Sequence, residues 1–132
     1  MRLSALTLAG GLALGPGCSG GEVGPEPIPP ELSEIQAQIF TPNCTFSSCH
    51  GASAQQGLSL AGPAHAAIVG VASTEVAGMM RVAPGDPAAS YLLHKLEDAK
   101  PTEGVRMPPD QPLPAHKIEA IRLWIAAGAP DD

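Results

Sequence analysis

Two thiols and an imidazole lie close together in the sequence CTFSSCH, formed by residues 44–50. This arrangement is typical of c-type haem attachment. Each thiol adds across one vinyl group of the porphyrin, and the histidine that follows the second cysteine ligates the iron from the proximal side. The common spacing leaves two residues between the cysteines, whereas four separate Cys44 from Cys49 here. We therefore expect a bulged attachment loop with His50 as the proximal ligand.

The same residues fit two other kinds of site. Cys44 and Cys49 could form a disulfide bond, which the oxidising compartments outside the cytoplasm permit. Alternatively, Zn²⁺ could be held by both cysteines, His50 and one further histidine. That fourth ligand would be His65, His94 or His116. On this segment alone the three alternatives stay open.

A second axial ligand is predicted in the proline-rich segment of residues 101–114. Met107 precedes Pro108 and Pro109 there, and fixed proline dihedrals lower the entropy cost of presenting its thioether. We expect Met107 to reach the iron from the face opposite His50. The other candidate ligands are Met79, Met80 and His94.

Helices are predicted on both sides of these residues. Apolar spacing predicts a helix over residues 33–40, with Ser33 and Gln36 as a capping box and Pro42 as its end. One or two further turns are predicted over residues 63–69.

The C-terminal half is predicted to hold two longer helices. Asp86 and Pro87 have the residue types of a helix start, and Leu92, Leu93 and Leu96 would face inward. Over residues 115–127, Ile118, Ile121, Trp124 and Ile125 share one face, and Gly128 ends the helix. Trp124 is predicted to be a core residue against the haem edge, its N–H bonded to a propionate or a carbonyl. His65 and His116 are expected to be solvated.

Composition and charge narrow the fold class and the partners. Fifteen glycines and fifteen prolines in 132 residues predict short helices joined by many loops, with no long sheet. The net charge is −6, and the chain has no cluster of Lys or Arg that could follow a phosphate backbone. We therefore expect no nucleic acid partner. An acidic surface suits encounter with a basic redox protein.

The N-terminus predicts export. Residues 1–17 contain Arg2 and then a short apolar run, which is the layout of a signal peptide, and Cys18 follows a small residue as in a lipoprotein cleavage site. The alternative is a simple signal peptide cleaved near Cys18. Residues 18–31 are rich in Gly and Pro and are predicted to be a flexible tether. Residues 32–132 form the predicted domain, placed in the periplasm or cell envelope and anchored to the membrane through lipid on Cys18.

Four segments, taken in order, resemble one family. They are IFTPNCTFSSCHG, RVAPGDPAASYLLHKL, RMPP and IEAIRLWIAAGAPDD, and they extend over about residues 38–132. The chain resembles small exported monohaem cytochrome c domains of the type found in myxobacteria and planctomycetes. The CTFSSCH form of the motif, with its wider spacing, is associated with this subgroup.

This resemblance implies an all-α cytochrome c-like domain with short helices around one covalently bound haem c. It implies attachment at Cys44 and Cys49, axial ligation by His50 and Met107, and a C-terminal helix packed across an N-terminal one. The expected function is one-electron transfer between redox proteins, without catalysis, because a six-coordinate iron has no open site. A dry pocket of Leu92, Leu96, Ile121 and Ile125 would raise the potential. The alternatives are a disulfide-stapled exported binding module and a small haem peroxidase-like enzyme.

Overall fold

The computed structural model describes residues 24–97 and 103–132. In these residues the regular secondary structure is helical, and extended segments meet only at isolated β-bridges. The elements are α1 (Leu32–Ile35), a π-helical segment (Gln36–Phe40), α2 (Thr41–Cys44), a 3₁₀ turn (Gln55–Gly57), α3 (His65–Ile68), α4 (Tyr91–Glu97) and α5 (Ala115–Ala126). The predicted all-α class is confirmed.

The predicted signal peptide and the lipid-attachment residue Cys18 lie outside the described residues. None of the helices in the described ranges is long and apolar enough to cross a membrane. Within the segment predicted to be a tether, Ile28 is buried and packs into the core of the domain.

The helix that leads to the first cysteine is longer than predicted. It continues from α1 through the π-helical segment into α2, so the prediction that Pro42 ends it is wrong. Pro42 has no N–H to donate to the carbonyl oxygen of Gln38, and this oxygen instead accepts a hydrogen bond from Nζ of Lys117 at 3.1 Å. The wider π turn just before the proline is a common way to absorb such a break. The helix thereby reaches Cys44.

The predicted capping box at the start of α1 is not formed. The N–H groups of Leu32 and Ser33 donate to Asp132, to its carboxylate Oδ1 at 2.6 Å and to its backbone oxygen at 3.1 Å. The side-chain amide of Gln36 donates instead to the carbonyl oxygen of Leu60 at 2.8 Å. A residue 100 positions away therefore satisfies the free amides that every helix start exposes.

The predicted helix start at Asp86 is also wrong, because α4 begins at Tyr91. The N–H groups of Tyr91 and Leu92 donate to the carbonyl oxygens of Met80 and Arg81, both at 2.9 Å. These amides are therefore not available to continue a helical turn from Asp86. The first two residues of α4 are bonded to the loop at residues 80 and 81 instead.

The core forms where α5 packs against α1 and α4. Trp124 is completely buried, and its Nε1 donates to the carbonyl oxygen of Pro130 at 2.9 Å. The helix ends one residue before its predicted limit, and Gly128 follows with a φ of +103°, which favours glycine. The core includes Ile35, Ile39, Phe40, Ile68, Val82, Leu93, Leu96, Ile121, Trp124 and Ile125.

Candidate functional site

A cavity of about 480 Å³ lies beside this core. Its volume is within the range of roughly 300–1,000 Å³ that is usual for ligand and cofactor pockets. Cys44, Cys49, His50 and Met107 all line it. The structure thus brings the four predicted site residues to one cavity, although Met107 is far from the others in sequence.

Backbone hydrogen bonds hold the loop that carries the two cysteines. The N–H of His50 donates to the carbonyl oxygen of Cys44 at 3.1 Å, and that of Cys49 donates to Phe46 at 2.9 Å. Gly51 follows, and a Cβ at this position would overlap the carbonyl oxygen of Thr45 and lie 2.9 Å from that of Phe46. The four intervening residues therefore fold back into a tight turn that only glycine can close.

The imidazole of His50 is oriented by the backbone. Its Nδ1 lies 3.1 Å from the carbonyl oxygen of Leu58. Because a carbonyl oxygen only accepts hydrogen bonds, this contact places the ring proton on Nδ1 and leaves the lone pair on Nε2. Metal-binding histidines commonly have such a partner on their other nitrogen. The carbonyl oxygen of His50 in turn accepts from the N–H of Leu60 at 2.7 Å.

Cys44 and Cys49 are both free thiols and half-buried. Burial raises the pKa of the Cys44 thiol to about 11, and the neighbouring Cys49 adds to this shift while Lys117 opposes it. No group of three His, Cys, Asp or Glu side chains in the described residues could hold a metal ion. His65, His94 and His116, the candidates for a fourth zinc ligand, do not line the cavity with the two cysteines and His50 in the described residues.

Met107 enters the cavity from the proline-rich loop. Its side chain is half-buried against the hydrophobic core, and Pro108 and Pro109 line the same cavity. The N–H of Met107 donates to the carbonyl oxygen of Lys95 at 2.7 Å. One end of α4 therefore holds the backbone of the loop at the residue that carries the thioether.

The other candidate ligands do not line the cavity in the described part of the chain. Met80 is 45% exposed, and Nε2 of His94 is bonded to the carbonyl oxygen of Ala88 at 2.8 Å. His65 was expected to be solvated, but its Nε2 contacts the carbonyl oxygen of Ala129 at 3.0 Å, and its side chain is 29% exposed. Met79, the remaining candidate ligand, is half-buried but does not line the cavity either.

The apolar wall differs in part from the prediction. Leu92 and Leu96 line the cavity as expected, whereas Ile121 and Ile125 are buried in the core behind it. Trp124 is likewise a core residue and not a cavity residue; its predicted carbonyl partner is present. Apolar lining comes instead from Phe40, Leu58, Leu60, Ile68 and Leu113. Helical periodicity predicted correctly that these α5 residues are buried. It could not show whether they face the hydrophobic core or the cavity.

Several polar lining residues were not predicted, including the following four. Arg81 and Lys95 are cationic, and Glu75 and Tyr91 lie beside Lys95. The spacing of Tyr91 and Lys95, four residues apart in a helix, could have shown that they share a face. Nothing in the sequence pattern indicated that Glu75 and Arg81 reach the same cavity, because both come from irregular loop.

Comparisons with known proteins found no match: no family model fits the chain, and no curated protein or solved structure is significantly similar to it.

Proposed function

We propose that this protein is an exported one-electron carrier with one haem c attached through Cys44 and Cys49. His50 and Met107 would be its axial ligands. The observation that carries the proposal is that both thiols, the imidazole and the thioether line a single cavity of cofactor size. Cys44, Cys49 and His50 come from one segment and Met107 comes from another, so local sequence alone cannot explain their meeting.

The residues of the cavity fit such a group. The thiols are unpaired, His50 keeps Nε2 for a metal, and Met107 provides a soft neutral ligand. The apolar part of the lining would shield the bound group from water, while Arg81 provides positive charge that would complement a propionate. When bound, haem c supplies a one-electron iron couple.

The protein would tune that couple through its ligands. A thioether favours the reduced iron relative to a second imidazole, and a dry apolar wall disfavours the extra positive charge of the oxidised form. With His50 and Met107 both engaged, no coordination position would remain for a substrate. Outer-sphere electron transfer follows as the function, and the net charge of −6 suits a basic redox protein as partner. We also propose lipid anchoring through Cys18 in the cell envelope.

The test is expression of the full chain with a cytochrome c maturation system, followed by a pyridine haemochrome spectrum and the intact mass. We expect haem that survives acidified organic solvent in the wild type. The variants Cys44→Ser and Cys49→Ser should each lose one thioether bond, and the double variant should lose covalent haem altogether. Cys18→Ser is the matched control, because it should lose the lipid but retain the haem.

Three outcomes would contradict the proposal. A colourless protein that is two hydrogens lighter than the dithiol form would indicate a Cys44–Cys49 disulfide and favour the binding module. Covalent haem with a five-coordinate high-spin iron would favour a peroxidase-like enzyme. Haem retained by the double cysteine variant would show that the attachment lies elsewhere.

A further inference from the structure

A buried ion pair lies at the edge of the cavity. Nζ of Lys95, on α4, is 3.3 Å from Oε2 of Glu75, and both side chains are largely shielded from solvent, at 10% and 20% exposed. The hydroxyl of Tyr91, one turn earlier on α4, donates to the same Glu75 oxygen at 2.8 Å. The ammonium also lies 5.9 Å from the centre of the Tyr91 ring. These three side chains form one connected cluster.

Such a cluster is costly to bury unless each member is paired. Lys95 has both a carboxylate and a backbone carbonyl as partners, and the Glu75 carboxylate accepts from Tyr91 as well as pairing with Lys95. Removal of either Lys95 or Glu75 would leave the other as a buried charge without its counter-ion. A buried salt bridge often adds little to the stability of a protein. We therefore consider which part of the structure this ion pair contacts.

That part is the start of the loop that carries Met107. Nζ of Lys95 donates to the carbonyl oxygen of Glu103 at 2.7 Å, and the N–H of Glu103 donates to the hydroxyl of Tyr91 at 3.3 Å. The N–H of Met107 completes the set by donating to the backbone oxygen of Lys95. Three hydrogen bonds to α4 therefore fix both ends of the segment 103–107.

Resting on the proposed function, we infer that Glu75, Lys95 and Tyr91 are positioning residues that hold Met107 at the iron. Glu75 orients the Lys95 ammonium and the Tyr91 hydroxyl toward the Glu103 backbone, and the Lys95 backbone holds Met107 directly. Without the cluster, the thioether would leave the iron more often, and an added ligand could take its place. Because an added ligand binds only the open form, its apparent affinity reports how often that form occurs.

The test compares holoprotein variants Lys95→Met, Glu75→Gln and Tyr91→Phe with the wild type. Two signals are read: the long-wavelength charge-transfer band of methionine-bound ferric haem, and the affinity of the ferric protein for cyanide. We expect a weaker band and roughly tenfold tighter cyanide binding in Lys95→Met, with smaller changes in Tyr91→Phe. Arg122→Gln is the matched control. It removes the ion pair between Arg122 on α5 and Glu97 on α4, and this pair does not touch the 103–107 segment.

A second readout does not need the haem. Amide hydrogen exchange over residues 103–107, measured by mass spectrometry on the full chain, should be faster in Lys95→Met than in Arg122→Gln. If the variants contain haem but keep the wild-type band, cyanide affinity and exchange, the positioning role is wrong and the proposed function stands. If the wild type takes up no haem, the proposed function fails, and unchanged exchange in Lys95→Met would overturn the positioning role separately.

Discussion

The Nδ1 atom of His50 lies 3.1 Å from the carbonyl oxygen of Leu58. This contact connects the loop that carries the cysteines to the segment that follows the 3₁₀ turn. It favours one orientation of the ring and, for the neutral imidazole, the tautomer in which Nε2 is free to bind a metal. The contact thus leaves available the nitrogen that the proposed function requires.

Substitution of this histidine should remove the proposed proximal ligand but not the thiols. We expect His50→Ala to lower the yield of haem-loaded protein about tenfold or more, in line with the sensitivity of metal sites to changes around their ligands. Added imidazole should restore a low-spin spectrum in the remainder. His94→Ala is the control, because His94 bonds Ala88 outside the cavity. Equal haem yield and spectrum in both variants would rule out His50 as the ligand.

Met107 should set the reduction potential. We expect Met107→Leu to keep the covalent haem, to bind cyanide in the ferric state, and to shift the potential by on the order of 0.1 V, a fraction of the ~0.8 V that axial ligands cover. Met80→Leu should change neither the cyanide binding nor the reduction potential, since Met80 is 45% exposed and does not line the cavity. Voltammetry with a cyanide titration measures both effects. An unchanged potential in Met107→Leu would point to another distal ligand.

Helical periodicity predicted α5 well because the signal is local. Ile121, Trp124 and Ile125 recur on one face, and Gly128 ends the helix in a conformation that suits its missing side chain. The motif CTFSSCH likewise predicted which residues meet, since its members are close in the chain. These features depend on neighbours within a few residues.

The errors concern bonds made over long distances in sequence. Pro42 does not end its helix because Lys117 takes the freed carbonyl of Gln38. The helix start at Asp86 fails because distant backbone oxygens take the amides of Tyr91 and Leu92. No local pattern contains these partners. The polar cluster around Lys95 was missed for the same reason, since Glu75 belongs to a loop without periodicity.

Gly51 should be intolerant of a side chain. We expect Gly51→Ala to destabilise the domain by about 1–3 kcal/mol, because the added methyl meets two backbone carbonyls that cannot rotate away. The matched control is Gly62→Ala, where a Cβ meets nothing within 4 Å. Chemical denaturation of both variants measures the difference. Equal stability would show that the cysteine loop can open at this point without cost.

Asp132 should act as the cap of α1 across the molecule. We expect Asp132→Ala to lower the free energy of unfolding by about 1 kcal/mol, which is typical for loss of a side-chain cap. Asp132→Asn should retain most of the stability, because its amide oxygen can still accept from the N–H of Leu32. Asp110→Ala, at an exposed site, is the control. A thermal melt in which all three variants match the wild type would contradict the capping role.

Tyr91 should make the domain sensitive to strongly alkaline pH. Burial, followed by the hydrogen bond to the Glu75 carboxylate, raises the pKa of its phenol to about 12 from an ordinary value of 10. Because the folded pKa is raised, the stabilising contribution is fully present below about pH 10 and is lost as the pH rises through about 12.

This titration can be followed directly, because Tyr91 is the one tyrosine of the chain. The ultraviolet absorbance of the phenolate should appear near pH 12 in the folded protein and near pH 10 in denaturant. Glu75→Gln should move the folded midpoint toward 10, since the neutral amide no longer opposes the phenolate charge. Ionisation at the ordinary pKa in the folded wild type would mean that the hydroxyl is open to water, and the contact with Glu103 would then be too weak to hold the Met107 loop.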